Sequence, residues 1–266
     1  DQGLFVATMK TAPGPYRLKV TLWQGGNLEI EDPYRFPLQL RSDELEQFNG
    51  GVHFAAYDLL GAHGREIAGV PGVLFAVWAP NAHTVTVAGD FNDWDIRRHP
   101  LRLREGGVWE IFIPGVQEGC TYKYCVRSKY QGYQQLKSDP YAFATEEPPR
   151  SASIVRNVDR YQWADADWME RRAGTDWLKM PVSIYEVHLE SWLRDVNGDS
   201  LGYRRHADLL VEYVRRTGYT HIEFLPLMEH PFGGSLGYQV TGFFAPTARF
   251  GPPEDLMYLI DRCHQA

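Results

Sequence analysis

Residues 233–251, GGSLGYQVTGFFAPTARFG, gather side chains suited to gripping a flat, hydroxyl-rich ring. Tyr238, Phe243 and Phe244 offer apolar faces on which a pyranose could stack, while Gln239, Thr241 and Arg249 offer donors and acceptors to its hydroxyls. Glycines at 233, 234, 237 and 242 let the backbone turn sharply and let a ligand come close. The alternative is an ordered loop whose aromatics plug the rim of a barrel. The segment follows a buried-strand signal, HIEFLPLM at 221–228, and leads into a helical pattern. A long loop at the carboxyl end of a strand is where a parallel barrel places its substrate contacts.

Other reactive residue types carry less. Glu186 and Glu190, in YEVHLE, would share one face of a strand and mimic a carboxylate pair, but both sit on a single strand among hydrophobic neighbours and read as structural hydrogen-bonding groups. His188, His221 and His230 lack tight spacing with cysteine or carboxylate, so no metal site is expected. Glu229, in MEH at a strand end, reads as a loop-fixing ion-pair partner.

The elements that must position the loop follow from periodicity. The segment 182–192, VSIYEVHLESW, reads as a buried strand. Residues 203–217 place Ala207, Leu210, Val211 and Val214 at helical spacing and stop at Gly218. After the 221–228 strand and the loop, residues 254–264 form a second helix with Leu256, Leu259, Ile260 and Cys263 on one face. Strand, helix, strand, loop, helix is the opening of a parallel α/β array. Two such units cannot close an eight-stranded barrel, so the chain reads as the front part of a longer polypeptide.

Upstream the pattern differs. VLFAVWA, TVTVAGDF, GVWEIFI and TYKYCVRS, separated by turn-forming residues, read as an immunoglobulin-like antiparallel β-sandwich. YRLKV followed by DPYRF at 16–36 is echoed by YKYCV followed by DPYAF at 122–143, with separations that differ by one residue. The echo suggests duplicated β-modules. The expected organisation is the last strands of a first sandwich at 1–40, a second sandwich at 41–145, a linker at 146–180 and the truncated barrel at 181–266. The fold class is multi-domain β plus α/β, a β-sandwich followed by the first βα units of a TIM (β/α)8 barrel.

Formal net charge is −7 with no long run of either sign, which argues against a nucleic-acid surface and suits a neutral ligand. A 14% aromatic share fits both carbohydrate stacking and β-rich cores. Three cysteines are too few for a disulfide framework, and Cys120 and Cys125 would point to opposite faces of one strand. No apolar run approaches a membrane span, and residues 1–20 lack a signal-peptide pattern, so the expected location is cytoplasmic.

Taken in series, the strings resemble the 1,4-α-glucan (glycogen) branching enzymes of the α-amylase superfamily, glycoside hydrolase family 13, over nearly the whole chain. GVLFAVWAPNAHTVTVAGDFNDWDIRRHPLR, GVWEIFIPG, YKY followed by KSDPYAF, and PPRSASIV resemble that family's family-48 carbohydrate-binding module. SIYEVHLESW and HIEFLPLMEHPFGGSLGYQVTGFFAPTARFGPPEDL resemble the start of its catalytic barrel. WAPNA with FNDW also occurs in isoamylases, trehalose-forming hydrolases and glycogen-sensing kinase subunits. MEHPF followed by GYQVTGFFAPT points to branching enzymes.

The resemblance implies cleavage of an α-1,4 linkage and transfer of the cut segment to a 6-hydroxyl in glycogen biosynthesis, by double displacement between two carboxyl groups. In the family these groups lie on later strands, so no catalytic residue is expected here and this portion alone should be inactive. Tyr238 matches the family tyrosine that stacks under the sugar at the cleavage point, and Gln239 its neighbour. Trp94, in FNDWD, matches the glucan-binding tryptophan of the glycogen-sensing modules, with Tyr133 as candidate second aromatic; the other reading of Trp94 is core or interface packing. Leu236 stands where the family usually has tryptophan, which bears on preferred chain length. The implied partner is α-glucan, with no cofactor, and the barrel start would pack against the rest of its own barrel. The competing reading is a non-catalytic glycogen-binding protein.

Overall fold

The computed structural model describes residues 8, 10–11, 14–21, 25–130 and 132–266. Positions 1–7, 9, 12–13 and 22–24 of the expected first module lie outside the described residues. The described part of that module is an antiparallel pair, β1 (Arg17–Thr21) with β2 (Asn27–Glu31). Helices α1 (Ser42–Asn49) and α2 (Ala56–Leu59) follow.

The sandwich comprises β3 (Gly61–Ile67), β4 (Val70–Trp78), β5 (Ala82–Gly89), β6 (Arg102–Leu103), β7 (Val108–Pro114), β8 (Thr121–Ser128), β9 (Gln134–Lys137), β10 (Ala144–Thr145) and β11 (Ser153–Ile154). One antiparallel sheet runs β3-β4-β7-β6 and the other β10-β11-β8-β5, with β9 paired to the far half of β8. The second sheet therefore takes in residues beyond 145. Alternation explains the core: Val73, Phe75 and Val77 of β4 and Trp109, Ile111 and Ile113 of β7 meet Val85, Val87, Tyr122 and Tyr124 of the other sheet. Each such side chain, fully buried, contributes about 1.5–3 kcal/mol. Cys120 packs at the rim of this core, while Cys125 is buried on the opposite face of β8.

The alternate residues of the first sheet are buried too. Leu74, Ala76, Val108 and Phe112 pack under Phe36, Leu40, Leu45, Leu59 and Leu60, so residues 36–60 form a cover. That two-sided burial is why VLFAVWA reads as a continuous apolar run. Glu110, 0% exposed, lies on this covered face and pairs with Arg104 while accepting from the amides of Gln39, at 2.8 Å, and Leu40. These bonds hold the cover in place.

The sequence echo has a structural counterpart. The Tyr16 hydroxyl donates to Asp32 Oδ2 at 2.5 Å, and the Tyr122 hydroxyl donates to Asp139 Oδ2 at 2.7 Å. In each copy the other carboxylate oxygen accepts the amide two residues on, Tyr34 at 2.9 Å and Tyr141 at 2.8 Å. The same turn chemistry thus recurs, half-buried in one copy and buried in the other.

Downstream, α3 (Ala166–Gly174) lies in the connector, which is strapped to the last helix. Tyr161 donates to Asp261 at 2.9 Å, and the Trp168 ring stacks on His264 with centroids 3.6 Å apart. Strand β12 (Ile184–Val187), helix α4 (Leu189–Trp192), helix α5 (Tyr203–Thr217), strands β13 (His221–Phe224), β14 (Met228–Glu229) and β15 (Gly242–Pro246), and helix α6 (Pro253–Gln265) complete the chain. β12 and β13 pair in parallel, and Val187, Leu189, Leu210, Val214 and Leu259 share one core. Helix α5 matches its expected span, and Gly218 closes it in the left-handed region at φ 83°.

Two expected strands are shorter than their apolar runs. The 182–192 run leaves the strand after Val187, because the His188 carbonyl accepts the Ser191 and Trp192 amides and Trp192 Nε1 donates to the Tyr185 hydroxyl. The 221–228 run breaks before Pro226, which has no amide to give a ladder. Met228 and Glu229 pair instead with β15, so part of the expected loop is strand. Among the described residues no helix is long and apolar enough to cross a membrane.

Candidate functional site

Glu229 organises the base of the aromatic loop. Its carboxylate is 4% exposed and accepts from the amides of His230 at 2.9 Å and Ala248 at 2.8 Å, from Thr247 Oγ1 at 3.2 Å and from Arg249 Nη1 at 3.0 Å. Thr145, on the sandwich, adds a bond at 3.1 Å. Arg249 also donates to the His230 carbonyl, and Tyr203 to the Thr247 carbonyl, so both stems of the loop are tied down. With its oxygens so occupied, Glu229 is a structural group, as read from the sequence. Arg249, expected to serve a ligand, serves Glu229.

Above this base the backbone makes a tight crown. Leu236 and Gly237 are consecutive left-handed residues, at φ 55° and 86°. A Cβ on Gly237 would overlap the Pro226 carbonyl oxygen, so the close approach and the φ both require glycine here. The crown then presents Tyr238, 68% exposed, and the exposed Gln239. The Gln239 amide is therefore not buried among backbone groups. Phe232 and Phe243 are also largely exposed beside them.

Phe244 does not join that surface. Its ring stacks on Tyr141 of the sandwich, centroids 4.9 Å apart and planes 16° apart, with Tyr57 at 5.8 Å on a tilted approach. It is a joint between the two parts of the molecule, with 39% of the residue left exposed. The joint continues through a two-bond ion pair from Arg156 to Glu254, at 2.8 and 2.6 Å. Beneath it lies Asp139, whose burial pushes its carboxyl up to about 6 although Tyr122, the Tyr141 amide and Tyr124 pull it down.

On the sandwich, Trp94 follows β5 in a loop where Asp93 and Trp94 both have positive φ, 56° and 58°. Its Nε1 donates to Asp90 Oδ1 at 3.1 Å, and Asp90 Oδ2 takes the amide and hydroxyl of Thr121, both at 2.8 Å. Burial works to raise the Asp90 pKa, but the bonds from Thr121 and Trp94 outweigh it and hold the carboxyl below the usual range. The indole is 37% exposed and held rigidly at the surface, outside the core clusters.

Tyr133 is not brought to Trp94. Its carbonyl accepts from the Ser128 amide, at the end of the ladder where Ser128 faces Ala82, whereas the Trp94 amide donates to Gly89, which faces Tyr122. The two backbones are thus separated by about seven residues of strand, roughly 23 Å. Tyr133 instead borders a cleft of about 520 Å³ with His83, Arg127, Lys129 and Tyr130, and Lys137 Nζ lies 5.7 Å from its ring.

The carboxylate pair considered at 186 and 190 does not share a strand, since Glu190 lies on α4. The histidines are used separately: His188 Nδ1 meets Ser191, His221 Nδ1 meets Thr220, and His230 Nδ1 meets the Met228 carbonyl. Among the described residues no group of three His, Cys, Asp or Glu side chains could hold a metal ion. Tyr57, Tyr141 and Asp139 were missed as parts of the site's support; the repeated DPY string was the signal for Asp139 and Tyr141, and Tyr57 had none.

Residues 59–142 match the family model described as Carbohydrate-binding module 48 (Isoamylase N-terminal domain). The chain is 54% identical over 254 residues to the 1,4-alpha-glucan branching enzyme GlgB of Rubrobacter xylanophilus, covering 95% of this chain and 35% of that protein. It is 50% identical over 259 residues to the enzyme of the same name from Nitrosococcus oceani, covering 96% of this chain and 34% of that protein. The chain spans about a third of the length of the curated relatives it matches. A crystal structure described as an alpha amylase from Salmonella typhimurium superposes with a TM-score of 0.60 at 21% identity, covering 77% of this chain and 31% of that one, which speaks to fold.

Proposed function

We propose that this chain, about half identical along nearly its whole length to 1,4-alpha-glucan branching enzymes, is a part of such an enzyme that meets the glucan without cutting it. On this reading β12, α5 and β13 are the first units of a (β/α)8 barrel of glycoside hydrolase family 13, completed by further strands that pack on their open edge. The carboxyl groups that act as nucleophile and acid/base belong to those further strands. One carboxylate attacks the anomeric carbon while the other carboxylic acid protonates the departing 4-oxygen. The glycosyl-enzyme ester is then displaced by the 6-hydroxyl of an acceptor chain, which gives its proton back to the second group. The 266-residue portion by itself is inactive, and the setting is cytoplasmic glycogen synthesis.

The observation that carries this reading is the exposed Tyr238 on a crown whose two stems are locked to Glu229, at the carboxyl side of a parallel strand pair. Tyr238 stacks under a glucose unit and Gln239 bonds its hydroxyls, while Trp94 is a second, distant platform for the same polymer. Tyr133, beside its own cleft, is a separate contact with the polymer. Iodine-stained amylose treated with the complete polypeptide loses colour without a matching rise in reducing ends. A rise in proportion to the colour loss would identify a hydrolase and overturn the reading.

A further inference from the structure

The hairpin that carries Tyr238 is tied at its base but has a short ladder of its own. β14 and β15 share only two paired positions, with a register shift between them. The stems are tied at their base, where the Thr241 and Thr247 amides bond the Glu229 and Leu227 carbonyls, but a ladder this short leaves the direction of the hairpin as a whole to what β15 rests on. That support comes from the sandwich. Phe244, in the middle of β15, is stacked on Tyr141 at 4.9 Å and flanked by Tyr57, and Thr145 bonds Glu229 at the hairpin's base. Tyr141 is in turn fixed by the turn at Asp139, which is 1% exposed and accepts the Tyr141 amide at 2.8 Å. A continuous set of contacts therefore runs from a buried carboxylate of the sandwich to the strand leading out of the crown.

We infer that Tyr141, acting with Tyr57 on Phe244, is a positioning residue that sets the crown bearing Tyr238, so that the β-sandwich shapes the glucan site of the α/β part without touching glucan there. The inference rests on the reading of Tyr238 as a substrate contact. It also assigns the sandwich two separable tasks: Trp94 faces outward to the polymer, and Tyr141 faces the barrel. The stack uses the ring of Tyr141, so phenylalanine at 141 preserves it and alanine does not.

The test uses the complete polypeptide with amylose as substrate. Tyr141→Ala lowers kcat/KM on the order of tenfold, as expected when a contact group is misplaced, and Tyr141→Phe restores it to within about twofold. In a Tyr238→Ala background, Tyr141→Ala costs less than about a further twofold, because the residue it positions is gone. In the Tyr238→Ala background, where Trp94 and Tyr133 carry the contact with the polymer, retardation in a glycogen-containing gel is the same with and without Tyr141→Ala and shows that the sandwich is folded. Hydrogen exchange of the Ser235 and Tyr238 amides is read in parallel, irrespective of turnover, and speeds up on the order of tenfold in Tyr141→Ala. Unchanged exchange, or a loss of kcat/KM that multiplies in full with that of Tyr238→Ala, overturns the inference. A wild-type polypeptide that fails to branch amylose overturns the functional reading instead, and the exchange data still decide whether Tyr141 holds the crown.

Discussion

The two Tyr–Asp bonds of the sequence echo offer a controlled comparison, because the chemistry is the same and the burial is not. Asp139 is 1% exposed and accepts the Tyr122 hydroxyl at 2.7 Å, and its carboxyl titrates at about 6. In the unfolded chain the same group titrates near about 3.9. The folded pKa is raised, so this group's contribution to stability is fully present below about pH 4 and is lost as pH rises through about 6. Two units correspond to about 3 kcal/mol. Above pH 6 the buried carboxylate leans on its donors, and a bond to a charged group contributes about 1.5–3 kcal/mol. Tyr122→Phe is therefore expected to cost about 2–3 kcal/mol at pH 8. At pH 5, where the carboxyl is largely protonated, the lost bond is neutral and the cost falls to about 1 kcal/mol. Tyr16→Phe removes a bond of 2.5 Å to a half-buried Asp32 and should cost under about 1 kcal/mol at either pH. Urea unfolding at both pH values, with unchanged m-values, measures all four quantities. A cost for Tyr122→Phe that is the same at pH 5 and pH 8 would refute the account of Asp139 as a buried charge.

Three further outcomes are expected. Glu110→Ala leaves Arg104 buried, and the Gln39 and Leu40 amides unpaired, and should destabilise by about 3–5 kcal/mol in thermal or chemical unfolding; a loss below about 1 kcal/mol would mean that the cover does not need this carboxylate. Gly237→Ala meets the Pro226 carbonyl at φ 86° and should displace the crown, seen as faster exchange of the Tyr238 amide, with a local cost of at least about 1–2 kcal/mol; wild-type exchange would contradict the packing. Burial, helped by the Arg98 charge, pushes His99 down to about 4, so the unfolded chain takes up this proton first and stability is lost as pH falls from about 6.5 to about 4. After discounting for its partial contact with solvent the loss is about 2 kcal/mol, opposite in sign to that of Asp139, and His99→Gln should flatten it in the same urea series.

Much of this was legible from local pattern. Helix α5 carries its own stop signal, and its buried residues Ala207, Leu210, Val211 and Val214 are spaced for one face. The four sandwich strings became β4, β5, β7 and β8 with small shifts at their ends. The failures were of another kind. Apolar runs do not say where a strand yields to a turn: His188 and Pro226 cut both α/β strands short through backbone bonding that periodicity does not register. Nor does a run of aromatics say which rings are already taken. Phe243 and Phe244 are adjacent and chemically identical, yet Phe243 is 66% exposed while Phe244, still 39% exposed, lays its ring on Tyr141, a partner far earlier in the chain. Trp94 and Tyr133 failed to meet for the same reason, since their separation depends on the β5–β8 register.

The repeated Tyr…Asp–Pro–Tyr turn has a bearing on how such chains can be assembled. In both copies the tyrosine after the proline points onward to the next part of the molecule: the Tyr34 hydroxyl donates to the Pro100 carbonyl of the sandwich at 3.0 Å, and the Tyr141 ring lies on Phe244 of the α/β part. Each unit thus ends in its own coupling, mounted by an internal aspartate, which adds to the bonds from Thr145 and Arg156 at the second joint. Parts joined in this way are interchangeable in principle. A sandwich grafted ahead of a different α/β part should dock best when that part offers an aromatic ring where Phe244 stands and a carboxylate where Glu254 meets Arg156.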